Sequence, residues 1–185
     1  MAIALCLSGK IGNTKGKSGY HKSEYKVLKK GYDHYKKHVI DVNDNVDVFV
    51  HCWDIELKNE IHSLYKPKDS IVEEQVVFDI PEYVQGDKQR IQNHYSRWFS
   101  NMQVNNLCSN FSKKTNTHYD FVMTTRFDLA FETDIVFNKY DKNKFYAGNW
   151  SSVNYNGHDI FKGGRGPLYD IVNTHGKGCL ESFNF

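Results

Sequence analysis

Three short apolar runs constrain this chain most, because each breaks off into a cluster of polar residues. Ala2-Ile-Ala-Leu-Cys-Leu7 stops at Ser8-Gly9-Lys10. Val46-Asp-Val-Phe-Val-His51 stops at Cys52-Trp-Asp54. Tyr119-Asp-Phe-Val-Met-Thr-Thr125 runs into Arg126-Phe-Asp128. Runs of roughly four to eight apolar residues bounded by turn residues read as strands buried on both faces. Such strands belong to parallel sheets covered by helices on either side.

The stretches between them carry helical spacing. After a Gly/Ser/Lys-rich stretch from Gly9 to Gly19, Tyr25, Leu28, Tyr32, Tyr35 and Val39 recur at alternating steps of three and four from Lys22 onward. That period predicts one apolar face, and Gly31 inside it costs about 1 kcal/mol relative to Ala. Glu56 to Tyr65 predicts a short helix closed by Lys66-Pro67. Asp87 to Asn110 predicts the strongest one, with Ile91, Tyr95, Trp98, Phe99, Met102, Leu107 and Phe111 as its apolar side. Ile71 to Phe78 is β-rich and predicts a further strand. Ile135 to Phe137 and Lys144 to Ala147 read as short strand-like pieces, Lys162 to Gly166 as a Gly-rich turn, and Pro167 to Thr174 as a short helix.

Strands alternating with helices imply an α/β fold with a mostly parallel, Rossmann-type sheet and helices on both faces. Residues 2–8, 46–51 and 119–125 are expected as neighbouring parallel strands, with helix 87–110 packed on them through Trp98 and Phe99. At 185 residues, about 70% of the unfolded surface is buried on folding, enough for one domain spanning 1–185. In such sheets ligands bind beyond the carboxyl ends of the strands, where all three polar clusters fall.

Composition excludes several classes. Lys and Arg number 24 against 22 Asp and Glu, for a net charge of +2, which does not suit a dedicated nucleic-acid binder. With 12 Tyr, 12 Phe and 3 Trp the chain is too aromatic for a disordered tail. No apolar run approaches the roughly 18 residues of a membrane span. The cysteines Cys6, Cys52, Cys108 and Cys179 are widely spaced. They read as reduced thiols of a cytoplasmic protein.

Four motifs carry chemical options. Gly12-Asn-Thr-Lys-Gly16-Lys17-Ser18 invites a phosphate-loop reading, but three residues separate the first Gly from Gly-Lys-Ser where that loop needs four. It reads better as a basic loop. Asp41 to Asp47 lacks the Gly and Glu of a calcium loop and reads as a polar turn. His34 and His38 are placed to share a metal on one helix face, but no third ligand accompanies them, so a solvated face is the better reading. Arg126 and Asp128 lie two apart on an extended chain and face the same way. They suit either a site for a diphosphate and a divalent cation or an internal ion pair.

Taken together, Ile3-Ala-Leu-Cys-Leu-Ser-Gly9, Asp47-Val-Phe-Val-His-Cys-Trp-Asp54, Gln92-Asn-His-Tyr-Ser96 and Tyr119-Asp-Phe-Val-Met-Thr-Thr-Arg-Phe-Asp-Leu129 resemble a family of viral and bacterial glycosyltransferase-like proteins. The resemblance spans roughly residues 2 to 170. It implies a GT-A fold that takes a nucleotide-diphosphate sugar and passes the sugar to a glycan or other hydroxyl acceptor. Ser8, Gly9 and Lys10 would approach the nucleotide, with Asp54 and Arg126 beside it. Asp128 would hold Mn2+ or Mg2+ where the family usually carries Asp-x-Asp; here the first carboxylate is replaced by Arg126. Asp159, in Gly157-His-Asp-Ile-Phe-Lys-Gly163, would serve as catalytic base, with Glu181 behind it. The alternatives are a non-catalytic nucleotide-sugar or glycan-binding module and, more remotely, a phosphate-loop kinase or sulfotransferase.

Overall fold

The computed structural model describes residues 1–12 and 23–146, together with the backbone strands Ser152–Tyr155, His158–Phe161 and Leu180–Glu181. Strand β1 (Ile3–Gly9) is followed by helix α1 (Tyr25–Tyr35), whose last turn widens into a π-helical segment, Lys36–Ile40. Next come β2 (Val46–Cys52), α2 (Lys58–Tyr65), β3 (Asp69–Val72), α3 (Lys88–Thr115) and β4 (Phe121–Thr125). Four short strands follow: β5 (Phe145–Tyr146) pairs antiparallel with β8 (Leu180–Glu181), and β6 (Ser152–Tyr155) with β7 (His158–Phe161).

The first four strands form one all-parallel sheet in the order β3-β2-β1-β4. The three expected strands are neighbours: Leu5 stands level with Val48 on one side and Met123 on the other. Alternation along β1 serves two cores. Ile3, Leu5 and Leu7 pack with Leu28, Tyr35 and Val39 of α1 and with Ile61 and Tyr65 of α2. Ala4 and Cys6 pack on the other face with Phe49, Val104 and Cys108. The sheet is therefore covered on both faces, and Ile3 to Leu7 are fully buried, which is why this run reads as continuously apolar. Cys6, Cys52 and Cys108 are free, buried thiols.

Leu107 and Phe111 pack on the sheet as expected, but the first half of the long helix turns a different side to it. Ser96, Ser100, Val104 and Cys108 are its buried residues. Trp98 is 68% exposed and Phe99 half-buried. Phe49 of β2 fills this contact beside Val104 and Cys108, whose small side chains leave room for it. At its edge Phe49 meets Phe111 of the helix and Tyr119 edge-on at 5.5 and 5.9 Å.

The expected strand Ile71 to Phe78 is cut to its first two residues. Glu73 N–H bonds Cys52 O at 3.0 Å, and β2 ends at Cys52, so the chain beyond has no strand to pair with. It crosses instead to α3, where Phe78 and Gln92 exchange backbone–amide hydrogen bonds. Ile135 to Phe137 is not a strand. Ile135 N–H bonds His38 O, and Phe137–Lys139 forms a single 3-10 turn. The turn at Lys162 and the helix at Pro167 lie outside the described residues, as do residues 13–18 of the Gly12–Ser18 motif.

Helix α1 is fastened along the chain that leaves β4. The Tyr35 hydroxyl lies 2.9 Å from Thr125 Oγ1 and donates to Arg126 O. Phe131 N–H donates to His34 Nδ1 at 3.1 Å, and His38 Nδ1 lies 2.8 Å from Asp134 Oδ1. The two histidines thus hold protein partners. Asn43 continues the series, donating to Val39 O and Ile135 O and accepting from Phe137 N–H. Gly31 sits where the two segments are closest: a Cβ there would lie 1.9 Å from Phe127 O. Gly31→Ala improves helix propensity by about 1 kcal/mol but forces backbone apart. A net loss of about 1–3 kcal/mol is expected from the overpacking. Urea denaturation checks it, and an unchanged or raised midpoint would refute this packing.

Candidate functional site

In the order β3-β2-β1-β4 the chain builds outward from β1 to β3, then returns to the other side of β1. This reversal is a topological switch point, and the crevice outside the carboxyl ends of β1 and β4 is where ligands bind in open parallel sheets. The residues leaving those two strands are Ser8-Gly9-Lys10 and Arg126-Phe127-Asp128.

Their positions are fixed by short polar contacts. Ser8 Oγ donates to Asn101 Oδ1 of α3 at 2.5 Å and lies 3.3 Å from Thr125 O, so one hydroxyl ties the ends of β1 and β4 to the helix. Gly9, with φ of +100°, turns the chain out of the strand in a conformation that only glycine adopts without strain. Its carbonyl accepts from Trp53 N–H. Lys10 is half-buried at the mouth of the crevice. Asp54 is buried at the end of β2, and its Oδ2 accepts from Ile11 N–H at 2.7 Å. Asp54 therefore holds the loop that follows β1. Gly12 brings that loop to β4: a Cβ on it would lie 3.6 Å from Asp128 Oδ2.

Arg126 and Asp128 flank the fully buried Phe127 and point outward together. Their pairing is bidentate, with Nε to Oδ1 and Nη2 to Oδ2 both at 2.7 Å. Hydrogen bonding to Asp128 raises the already high pKa of Arg126, which is cationic at every relevant pH. With side chains 52% and 27% exposed, the pair contributes no more than about 1 kcal/mol to stability. Both Asp128 oxygens are engaged by Arg126. Among the described residues no group of three or more His, Cys, Asp or Glu side chains is placed to hold a metal. These donors do not by themselves fit a divalent cation, which takes several oxygens.

A second polar chain stands behind the crevice, and local pattern marks few of its members. His51, fully buried on β2, lies 2.7 Å from Ser100 Oγ through Nδ1 and 3.1 Å from Glu73 Oε1 through Nε2. Its ring meets Trp53 edge-on at 4.6 Å, and Trp53 stacks on Phe99 at 5.7 Å. Ser100 is wholly buried, so it anchors α3 and is closed to any substrate. Trp53 Nε1 is buried with no hydrogen-bond partner among the described residues. An unmatched donor of this kind costs about 1–3 kcal/mol and favours an acceptor arriving beside it. Asn101 and Ser100 could be found only by knowing which face α3 presents, and Glu73 only by knowing that β3 pairs with β2.

Asp159 belongs to β7, level with Asn154 of β6, and Glu181 belongs to β8. Their side chains lie outside the description, and nothing relates either to the crevice.

Fold and site together define an α/β protein with a four-stranded parallel sheet of Rossmann-like type and a polar, cation-bearing switch point. No family model, curated protein or solved structure matches this chain. No helix among the described residues is long and apolar enough to cross a membrane.

Burial lowers the pKa of His51, with the Glu73 hydrogen bond opposing it. A histidine held neutral in the fold but free to protonate near pH 6.5 when unfolded leaves stability unaffected at neutral pH. Stability is then lost as pH falls below about 6.5. Between pH 7.5 and 5.5 the wild type is expected to lose more stability in urea than His51→Gln. Equal losses would show that His51 titrates alike in both states.

Proposed function

We propose that this chain is a glycosyltransferase of GT-A type that takes a nucleotide-diphosphate sugar at the carboxyl ends of β1 and β4 and passes the sugar to a hydroxyl acceptor. The observation that carries the reading is the switch point, where Ser8-Gly9-Lys10 and Arg126-Phe127-Asp128 stand on adjacent strands. The resemblance of these same segments to glycosyltransferase-like proteins supplies the reaction.

In this reaction the bond from the anomeric carbon to the diphosphate breaks while one to the acceptor oxygen forms. Negative charge collects on the departing diphosphate, and cations already in place lower that barrier without reorganising. Lys10 and Arg126 supply them, and the Trp53 indole adds a donor near the end of β1. The acceptor proton needs a carboxylate base within reach if the reaction inverts at the anomeric carbon. Asp159 is proposed for it, with Glu181 as the alternative. A role for Mn2+ or Mg2+ at Asp128 remains part of the proposal, and its donors would have to be completed from outside the described set.

One observation favours the second reading, a module that binds a sugar nucleotide without turnover. The only carboxylate at the expected metal position is already neutralised by Arg126.

Thermal-shift and calorimetric titration with UDP- and GDP-sugars, with and without manganese, tests both readings. Binding is expected, and Lys10→Ala is expected to weaken it by about 1–3 kcal/mol, the worth of a charge-assisted contact. Release of free sugar or sugar transfer marks the enzyme, and binding without turnover the module. A protein that responds to none of these ligands is neither. For the metal, Asp128→Asn is expected to abolish manganese-dependent stabilisation by a nucleotide sugar. Its persistence in the variant would leave Asp128 as the partner of Arg126 alone.

A further inference from the structure

Helix α3 buries its small residues against the sheet and turns large apolar ones to solvent. Tyr95, Trp98 and Met102 are 37%, 68% and 51% exposed, and Ile91 is half-buried one turn earlier. The four follow steps of four, three and four, the spacing of a helix–helix seam. The chain preceding α3 extends the patch. Phe78 is tied to Gln92 and lies 5.7 Å from the Tyr95 ring, and Val76 and Val77 beside it are exposed.

We propose that this face of α3 is a homodimer interface, in which two copies of the chain pack their α3 helices antiparallel about a two-fold axis. The spacing is what selects a second copy. With the axis midway between Ser96 and Arg97, Ile91 meets the other copy's Met102 and Tyr95 meets its Trp98. Every apolar residue of the seam is matched by another, as an isologous interface requires. Charge permits it as well. Between Ile91 and Met102 the only Lys, Arg, Asp or Glu is Arg97, and the neighbours Gln92, Asn93 and His94 are neutral or weakly basic.

The area is of the right size. Taking aromatic side chains at about 150–250 Å², the exposed parts of Val76, Val77, Tyr95, Trp98 and Met102 amount to roughly 500 Å². That lies toward the upper end of the roughly 300–600 Å² a monomer leaves in one patch. It would form the apolar centre of an interface burying about 800 Å² per partner, with the surrounding amides as rim.

Sedimentation equilibrium on the full chain at increasing concentration tests the proposal. A concentration-dependent mass approaching two chains is expected. Trp98→Glu and Met102→Glu should each shift the protein to monomer with an unchanged circular dichroism spectrum, because both side chains are exposed. Under oxidised glutathione, Ile91→Cys combined with Met102→Cys should cross-link two chains. Ile91→Cys alone should not, since its two copies would be about 16 Å apart along the seam at 1.5 Å per residue. A wild type that stays monomeric overturns the proposal. In that case, weak acrylamide quenching of Trp98, measured against Trp98→Phe, would assign the face to the chain's own remaining residues. A dimer untouched by either glutamate variant, or cross-linked through Ile91→Cys alone, overturns it equally.

Discussion

The candidate site depends on one close contact, the crossing of α1 over the chain that leaves β4. Gly31 lets the helix backbone come down on Phe127 O, and Tyr35 reaches under it to bond Thr125 and Arg126 O. Without that approach the residues after Thr125 would be an unsupported loop, and Arg126 and Asp128 would have no fixed direction. With it, Phe127 is driven into the core and its two neighbours are left facing out. The buried Tyr35 hydroxyl stays protonated, because burial pushes its pKa far above the ordinary value. It therefore serves as a permanent donor. His34, His38 and Asn43 extend the fastening to Phe137, so a helix that reads as a lysine-coated surface element is the clamp of the site.

Strand β1 supplies the other half of the constraint. It is paired on both edges and lined by a core on each face, so its register leaves no freedom. Ser8 and Asp54 convert that rigidity into site geometry. Ser8 fastens β1 to α3 and to Thr125, and Asp54 fixes the first turn of the outgoing loop through Ile11. Gly12 N–H then donates to Ser23 Oγ, and Gly12 O accepts from Glu24 N–H. Gly12, Ser23 and Glu24 thus stand together beside Asp128.

What could be read from residues alone was what local pattern determines. The runs at Ile3, Val46 and Phe121 are apolar because they are buried on both faces, and no other placement satisfies them. The polar residues that end them therefore had to collect at one edge of the sheet. Two departures from the local pattern have physical causes. Strand β3 is shorter than its β-rich sequence because β propensity says nothing of whether a partner strand is present, and β2 stops at Cys52. The inward face of α3 does not follow residue size, because a helix face is chosen by fit to the sheet and not by apolar bulk alone. Packing instead matches Phe49 with Val104 and Cys108 and His51 with Ser100, and turns Trp98 outward. His51 was legible as a strand-end histidine. Its partners Ser100 and Glu73 were not, since they lie 49 and 22 residues away, Ser100 brought in by the rotation of α3 and Glu73 by the pairing of β3 with β2.

The bidentate Arg126–Asp128 pair looks at first like an argument against a ligand site, because it satisfies the charge that a diphosphate would seek. The geometry of the guanidinium argues otherwise. Arginine presents five N–H donors in a rigid fork, and Asp128 takes only two of them, one on Nε and one on Nη2. The remaining edge carries the unspent donors, and the carboxylate locks the plane in which they point. A lysine at this position would have offered a point charge on a flexible stem. In the proposed reading without a metal, Asp128 acts through Arg126. It is a positioning residue that costs the site one unit of charge and in return fixes the direction of the cation. Lys10, approaching from β1, restores the charge that Asp128 cancels, which is why the two strands must stand side by side for either residue to matter.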